Sequence, residues 1–95
     1  MVNVVWTDLA REDLKSIHDY ISKDSKYYAD RLVTKIIYRV EQLENYPQSG
    51  RMVPEFGKQH IREIIEGCYR IIFHIMIERV AIVRVHHSAQ ILKDF

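Results

Sequence analysis

The chain has 95 residues, a net charge of +1 at pH 7, 47% hydrophobic residues and 28% charged residues. This length accommodates one domain, and the composition is that of a globular protein rather than a disordered or low-complexity one. No apolar run reaches the roughly 18 residues of a membrane span, and a single cysteine excludes an internal disulfide. We therefore expect one domain over residues 1–95 that acts in the cytoplasm without a membrane partner. The nearly balanced charge permits contact with nucleic acid without requiring it.

The first part of the chain predicts one strand and two helices. Residues 2–6 are rich in valine and end in tryptophan, which is typical of a strand. Thr7 is a suitable helix N-cap, and apolar residues then recur three or four positions apart. A second apolar stripe follows a short polar segment, with Asp24 or Ser25 as its cap, and ends before Pro47. The short polar connection predicts an antiparallel helical hairpin.

The second part of the chain predicts a loop followed by three strands. Residues 46–59 contain both prolines and two of the three glycines, and a loop of this length in a small domain is often functional. From His60 the apolar period changes to two, over residues 60–66, 69–77 and 80–87. Short connections predict antiparallel pairing. The predicted fold is α+β in the order β-α-α-β-β-β, with the helical hairpin packed on one face of a small, mainly antiparallel sheet.

Alternation in the last two strands predicts which side chains face the helices. Every second residue from Tyr69 to Ile77 is apolar, so we expect this set to line the core. If Ala81, Val83 and Val85 join it, the opposite, exposed face gathers Arg70, His74, Arg84 and His86. His87 then lies on the core side at the end of its strand, although a shift of one residue would exchange the two histidines.

Two kinds of site can be built from these histidines and arginines, a metal site and a site that cleaves RNA. None of the five histidines has tight metal-ligand spacing, so we predict no metal and no other cofactor. Cleavage of RNA by its own 2′-hydroxyl needs a base, an acid and cations around the phosphate. Histidine titrates near neutrality, Arg70 and Arg84 supply positive charge, and Glu55 in the loop is a candidate base. The alternative is an exposed sheet face whose arginines and histidines serve only solubility.

Seven short motifs follow one another along the chain. They are WTDLAREDL (6–14), IHDYI (17–21), LENYPQSGR (43–51), VPE (53–55), IRE (61–63), YRIIF (69–73) and VRVHHSAQIL (83–92). In this order they resemble the RelE/ParE superfamily of bacterial toxins from type II toxin–antitoxin systems, whose β-α-α-β-β-β fold agrees with the periodicity. The resemblance implies a growth-inhibiting toxin and, as a partner, a small cognate antitoxin. Such antitoxins are partly disordered and wrap the toxin as they fold.

The superfamily divides into two mechanisms. RelE-like members cut messenger RNA in the ribosomal decoding site, whereas ParE-like members inhibit DNA gyrase and lack a nuclease centre. In one RelE-like subgroup the catalytic residues are a loop glutamate, a strand arginine and a histidine followed by an aromatic residue. The resemblance carries these roles to Glu55, Arg70 and His87, although the strand register favours His86. Ser88 replaces the aromatic residue and Lys58 is the loop's one lysine, two departures that favour the ParE-like alternative.

The hypothesis favoured by the sequence is ribosome-dependent cleavage of messenger RNA. Glu55 or His87 would take the 2′-hydroxyl proton, a histidine, His86 or His87, would return one, and Arg70 would hold the scissile phosphate. Further substrate contacts are expected from Arg51, Lys58, Arg62 and Arg84. The ribosome, messenger RNA and an antitoxin would then be the partners. The alternatives are a ParE-like surface that binds DNA gyrase, and an inactive member that binds only its antitoxin.

Overall fold

The structure, a computed structural model, describes residues 2–88, so residues 89–92 of the last sequence motif lie outside it. The elements are β1 (Asn3–Trp6), α1 (Asp8–Ser22), α2 (Lys26–Glu41), a 3₁₀ turn (Gln42–Glu44), β2 (Arg51–Met52), β3 (Ile61–Glu66), β4 (Tyr69–Ile75) and β5 (Arg79–His87). The strands form one sheet in the order β1-β5-β4-β3-β2. The β1–β5 pair is parallel and the other pairs are antiparallel. The predicted α+β fold is confirmed, with the two-residue β2 as an addition.

Both helices begin at side-chain caps. The Thr7 hydroxyl accepts a hydrogen bond from the amide of Ala10, and the Ser25 hydroxyl accepts one from the amide of Tyr28, each at 3.2 Å. These bonds satisfy first-turn amides that have no partner within the helix. The second cap is therefore Ser25 rather than Asp24, and helical backbone ends before Pro47 as predicted. Within residues 2–88 neither helix has the length and apolar character needed to cross a membrane.

The core lies between the helices and one face of the sheet. From β4, Ile71 and Phe73 are fully buried in it, with Tyr69 and Ile75 packed against it, as the alternation predicts. Ile77, the last residue of the predicted set, lies beyond the end of β4 and is 98% exposed, so its expected core position was wrong. The expectation for β5 was right for Val85 but wrong for Ala81 and Val83, which do not belong to the core cluster. The buried members of this cluster are Ala10, Ile36, Val40, Leu43, Ile64, Ile71, Phe73, Val80, Ile82 and Val85.

A β-bulge in β5 explains the difference. Ile72 lies opposite Arg84, but the next residue of β4, Phe73, lies opposite Ile82, so Val83 is an extra residue in β5. Because side chains alternate along a strand, one extra residue exchanges the faces of all residues before it. Ile82 therefore joins Val85 on the core face. Val85 and His86, which follow the bulge, keep the predicted faces, whereas the Arg84 side chain bonds to Asp13 of α1.

The sheet face opposite the helices, called the second face below, is not open as predicted. Ile72 in β4 and Val53 in the loop are both fully buried, and Arg70 and His86 are only 9% and 5% exposed. The Glu55 side chain, in the same loop as Val53, is hydrogen-bonded to Arg70. The predicted exposure of Arg70 and His86 was wrong because the loop after β2 covers this part of the sheet.

Gly50 lies where the chain passes very close to the sheet. A Cβ atom there would lie 2.6 Å from the Glu63 carbonyl oxygen and 2.7 Å from Cζ of Phe73. We expect Gly50→Ala to lower the free energy of unfolding by about 1–3 kcal/mol, the usual effect of overpacking. The exposed neighbour provides the control, because Ser49→Ala should change stability by less than about 0.5 kcal/mol. Urea unfolding followed by circular dichroism measures both, and equal stabilities would contradict the close approach.

Candidate functional site

Four charged side chains form a continuous hydrogen-bonded group on the second face. The Glu63 carboxylate accepts a bond from Nε of Arg70 at 2.6 Å and another from Nε of Arg51 at 2.7 Å. Arg70 also donates from Nη1 and Nη2 to the two carboxylate oxygens of Glu55, at 2.6 and 2.8 Å. These residues, Arg51, Glu55, Glu63 and Arg70, are called the ion-pair cluster below.

The strand register brings most of this cluster together. Glu63 on β3 lies opposite Ile72, while Arg70 on β4 lies opposite His86 on β5. Side-chain alternation then places Glu63, Arg70 and His86 on the second face. Arg51 on β2 pairs directly with Glu63. Four neighbouring strands, β2 to β5, therefore supply these four side chains.

Glu55 reaches the cluster from a tight turn in the loop. The amides of Phe56 and Gly57 both donate to the Val53 carbonyl, at 3.1 and 3.0 Å. Gly57 has a φ of 61°, a left-handed conformation that glycine adopts without steric cost. The turn begins at the fully buried Val53, so it is anchored beside the sheet and directs Glu55 towards Arg70.

Burial decreases from the centre of the cluster to its two ends. The side chain of Glu63 is 0% exposed and that of Arg70 is 11% exposed, against 40% for Glu55 and 63% for Arg51. A buried carboxylate is strongly destabilising unless cations and hydrogen bonds compensate for its lost hydration. Arg70 and Arg51 provide both for Glu63. Within residues 2–88 no buried side-chain nitrogen or oxygen lacks a hydrogen-bond partner.

The ion pair between Glu55 and Arg70 also fixes their protonation. Hydrogen bonds from Arg70 hold the pKa of Glu55 at about 2, against an ordinary value of 4.5, and the charge of His86 acts weakly in the same direction. Hydrogen bonds to Glu55, and then to Glu63, raise the pKa of Arg70 above its ordinary value. Near neutral pH both groups are therefore ionised, and Glu55 is a very weak base.

The two predicted C-terminal histidines lie on opposite faces. His86 lies opposite Arg70 on the second face. The His87 ring packs edge-on against the Tyr69 ring, with 5.2 Å between centroids. The strand register, which favours His86 beside Arg70, therefore agrees with the structure. His87 lies on the helix side of the sheet.

The other predicted substrate-binding cations are not part of the ion-pair cluster. Arg84 is bound to Asp13 of α1, at 2.7 and 3.1 Å, and the same carboxylate accepts the amide of Val85, which ties α1 to β5. Arg62 donates to the carbonyl oxygens of Gln59 and Gly50, at 3.0 and 3.1 Å. Lys58 is exposed on the loop. The bond to α1 removes Arg84 from the group of basic residues expected beside Arg70.

His74, the remaining residue expected beside Arg70, belongs to a separate pair. Its ring lies 4.9 Å from the ring of His60. Burial, and then the charge of His60, lower the pKa of His74. No group of three or more histidine, cysteine, aspartate or glutamate side chains within residues 2–88 is arranged to hold a metal ion.

The sequence interpretation missed Glu63, the most buried member of the cluster. Glu63 occurs in the strand IREIIE, where the period of two places it on the face opposite to that of Ile64. A charged residue in the middle of a strand that also contains three isoleucines is a signal that a partner of opposite charge lies nearby. That signal identifies Glu63 as paired, but it does not identify Arg70 and Arg51 as its partners.

Removing Arg70 should be much more damaging than removing Arg51. Arg70→Ala leaves the fully buried Glu63 carboxylate with one exposed partner, and breaking a buried pair in this way costs about 3–5 kcal/mol. Arg51 is largely exposed, so Arg51→Ala should cost about 1 kcal/mol or less. Chemical unfolding of the two variants measures the difference. Equal losses would contradict the central position of Arg70.

Stability should depend on pH through Glu55. Because its pKa is about 2 in the folded chain against 4.5 ordinarily, its contribution is complete above about pH 4.5 and is lost as the pH falls towards 2. Glu55→Gln should therefore be less stable than the wild type at pH 7, with the difference shrinking over that range. The control Glu78→Gln, at an exposed turn, should show no such convergence. Thermal unfolding between pH 2 and 7 provides the measurement, and a constant difference for Glu55→Gln would rule out the ion pair.

Similarity to known proteins covers almost the whole chain. Residues 4–92 match the family described as "ParE toxin of type II toxin-antitoxin system, parDE". The chain is 33% identical over 92 residues to Toxin RelE2 of Caulobacter vibrioides, covering 96% of this chain and 100% of that protein.

Two solved structures share the fold. The chromosomal ParDE TA system from P. aeruginosa superposes with a TM-score of 0.74 at 24% identity, covering 92% of this chain and 96% of that one. The toxin–antitoxin complex RelBE2 from Mycobacterium tuberculosis has a TM-score of 0.67 at 22% identity, covering 90% and 96%. Together with the order of the motifs, the family match and the similarity to RelE2 show that this chain belongs to the ParE toxin family of type II toxin–antitoxin systems, within the RelE/ParE superfamily.

Proposed function

We propose that this toxin inhibits growth by binding DNA gyrase, the mechanism of ParE-like members, and that it does not cut RNA. The observation that carries this proposal is the closed ion pair between Glu55 and Arg70. The pair occupies the two residues to which the sequence interpretation assigned the base and the phosphate contact. This proposal reverses the order of the two mechanisms, because the sequence favoured cleavage of messenger RNA over binding of gyrase.

The state of Glu55 argues against a role in proton transfer. An efficient general base has a pKa near the working pH, whereas Arg70 holds the pKa of Glu55 at about 2. Both carboxylate oxygens already accept hydrogen bonds from Arg70. Abstraction of a 2′-hydroxyl proton by Glu55 would first require this ion pair to open.

The charge around Arg70 argues against phosphate stabilisation. Catalysis on a phosphate needs positive charge directed at the developing negative charge. The two arginines and two carboxylates of the ion-pair cluster cancel, and Arg84 is neutralised by Asp13. A neutral patch with an exposed arginine at one end is better suited to recognising a protein, since arginine is enriched in protein interfaces.

Cleavage of messenger RNA remains the second candidate function, on one specific observation. Glu55, Arg70 and His86 come from a loop and two strands and lie close together on the second face. A base, a cation and a titratable group are therefore near one another, and hydrogen bonds in a free enzyme can differ from those with substrate. In this account the entry of ribosome-bound messenger RNA separates Glu55 from Arg70.

A cognate antitoxin is the partner that follows from membership of this family. We propose that it neutralises the toxin by folding against it, as partly disordered partners do. Both gyrase and the ribosome are cytoplasmic, so we propose that the toxin acts in the cytoplasm. The ribosome and messenger RNA are partners only under the second candidate function.

Two parallel assays separate the candidates. With purified gyrase we expect the wild type to block supercoiling, and in a cell-free translation reaction we expect messenger RNA to stay intact. Arg51→Ala removes the exposed end of the cluster and should raise the concentration for half-inhibition about tenfold, a typical effect for an arginine at the centre of an interface. The control Arg79→Ala removes an exposed arginine at the opposite end of β5 from His86, and should have little effect.

The opposite pair of results would establish the second candidate. If messenger RNA is cut only when ribosomes are present and supercoiling proceeds normally, the gyrase proposal is wrong. Glu55→Gln would then reduce the cutting rate, because it removes the candidate base while keeping the size of the side chain.

A further inference from the structure

We infer that the Nη1–Nη2 edge of Arg70 is a carboxylate-binding site that Glu55 occupies as an internal ligand, and that an acidic side chain of a protein partner displaces Glu55 from it. The inference rests on the proposed function only for the identity of that partner. The site itself can be tested without gyrase. Glu55 then has the role of an autoinhibitory contact rather than that of a base.

Arg70 has the properties of a preformed receptor. Its Nε is bonded at 2.6 Å to Glu63, whose side chain is 0% exposed. This bond fixes the plane of the guanidinium group, so the edge carrying Nη1 and Nη2 has one orientation. Two parallel N–H groups in that geometry match a carboxylate, and a fixed donor pair loses little entropy when it binds one.

Glu55 has the properties of an exchangeable ligand. Its side chain is 40% exposed, and it lies in the loop after β2 rather than in a strand. A carboxylate from a partner would make the same two hydrogen bonds to Arg70 that Glu55 makes now. Exchange therefore conserves the bonds and the charge at Arg70. Competition from the attached Glu55 lowers the apparent affinity of the partner, as for any intramolecular ligand.

The local charge favours a single carboxylate over a nucleic acid. When Glu55 leaves, Arg51, Glu63 and Arg70 together carry one positive charge, which one carboxylate neutralises. A nucleic acid presents a row of phosphates and is usually bound by several uncompensated cations. Here Arg84 is engaged by Asp13, and the whole chain has a net charge of only +1.

Rescue by a small anion tests the site in the full chain. Glu55→Ala empties the proposed site, and sodium acetate should then raise its melting temperature by about 4 °C relative to sodium chloride at equal ionic strength, because a ligand stabilises the state that binds it. The wild type should show no such difference, because Glu55 already occupies the site. Glu78→Ala, at an exposed turn, is the matched control and should also show none.

The combined variant Glu55→Ala with Arg70→Lys keeps the positive charge but loses the paired donors, and should not respond to acetate. If acetate does not raise the melting temperature of Glu55→Ala, the inference is wrong. The inference is also wrong if acetate raises the melting temperature of the combined variant as much as that of Glu55→Ala. Inorganic phosphate that stabilises Glu55→Ala more than acetate does would overturn the choice of a carboxylate ligand.

A supercoiling assay with the same variant separates this inference from the proposed function. If gyrase supplies the carboxylate, Glu55→Ala should inhibit supercoiling at a concentration several-fold lower than the wild type does. Acetate rescue without any inhibition of gyrase would support the site and overturn gyrase as the partner. Absence of acetate rescue would overturn the site even if the wild type inhibits gyrase.

Discussion

The organisation of the second face depends on the need to compensate one buried carboxylate. Glu63 lies on β3, the strand next to the edge strand β2, with its side chain fully buried, and such a group is tolerated only with hydrogen-bonded cations. Arg70 therefore turns its Nε towards the sheet interior, and Arg51 reaches Glu63 from the edge strand. Gly50 allows the chain to pass directly over the Glu63 carbonyl, where a Cβ atom has no room.

The bond to Glu63 engages Nε of Arg70, and the loop after β2 provides a partner for the edge that carries Nη1 and Nη2. Glu55 closes that edge from a turn anchored by the buried Val53. The loop thus covers part of a sheet face that the helices do not reach. A face of this kind, with charges that cancel, is consistent with a surface that recognises a protein once Glu55 is exchanged for a partner's carboxylate.

Much of the fold follows from local sequence patterns. The helical stripes, the caps at Thr7 and Ser25 and the period of two after His60 depend on neighbouring residues, so they can be read from the sequence. The bulge at Val83 could not be predicted, because it is set by how β5 packs against β4 and β1. Its effect was large, since a single extra residue reverses the faces of the strand before it.

The site was predictable only in part, for a similar reason. The resemblance to the RelE/ParE superfamily selected Glu55 and Arg70, and the structure brings them together. The sequence did not indicate that they neutralise each other, because that depends on the path of the loop. The role of Glu63 was hidden for the same reason, since its partners lie 7 and 12 residues away on other strands.

The central claim, that Arg70 is held between two carboxylates, can be tested directly by nuclear magnetic resonance of the arginine guanidinium groups. The claim predicts that the Nη1 and Nη2 groups of Arg70 give separate signals, because bonds to Glu55 and Glu63 prevent rotation of the guanidinium group. The exposed Arg11 gives the reference for free rotation. Averaged Nη signals for Arg70, like those of Arg11, would contradict the claim.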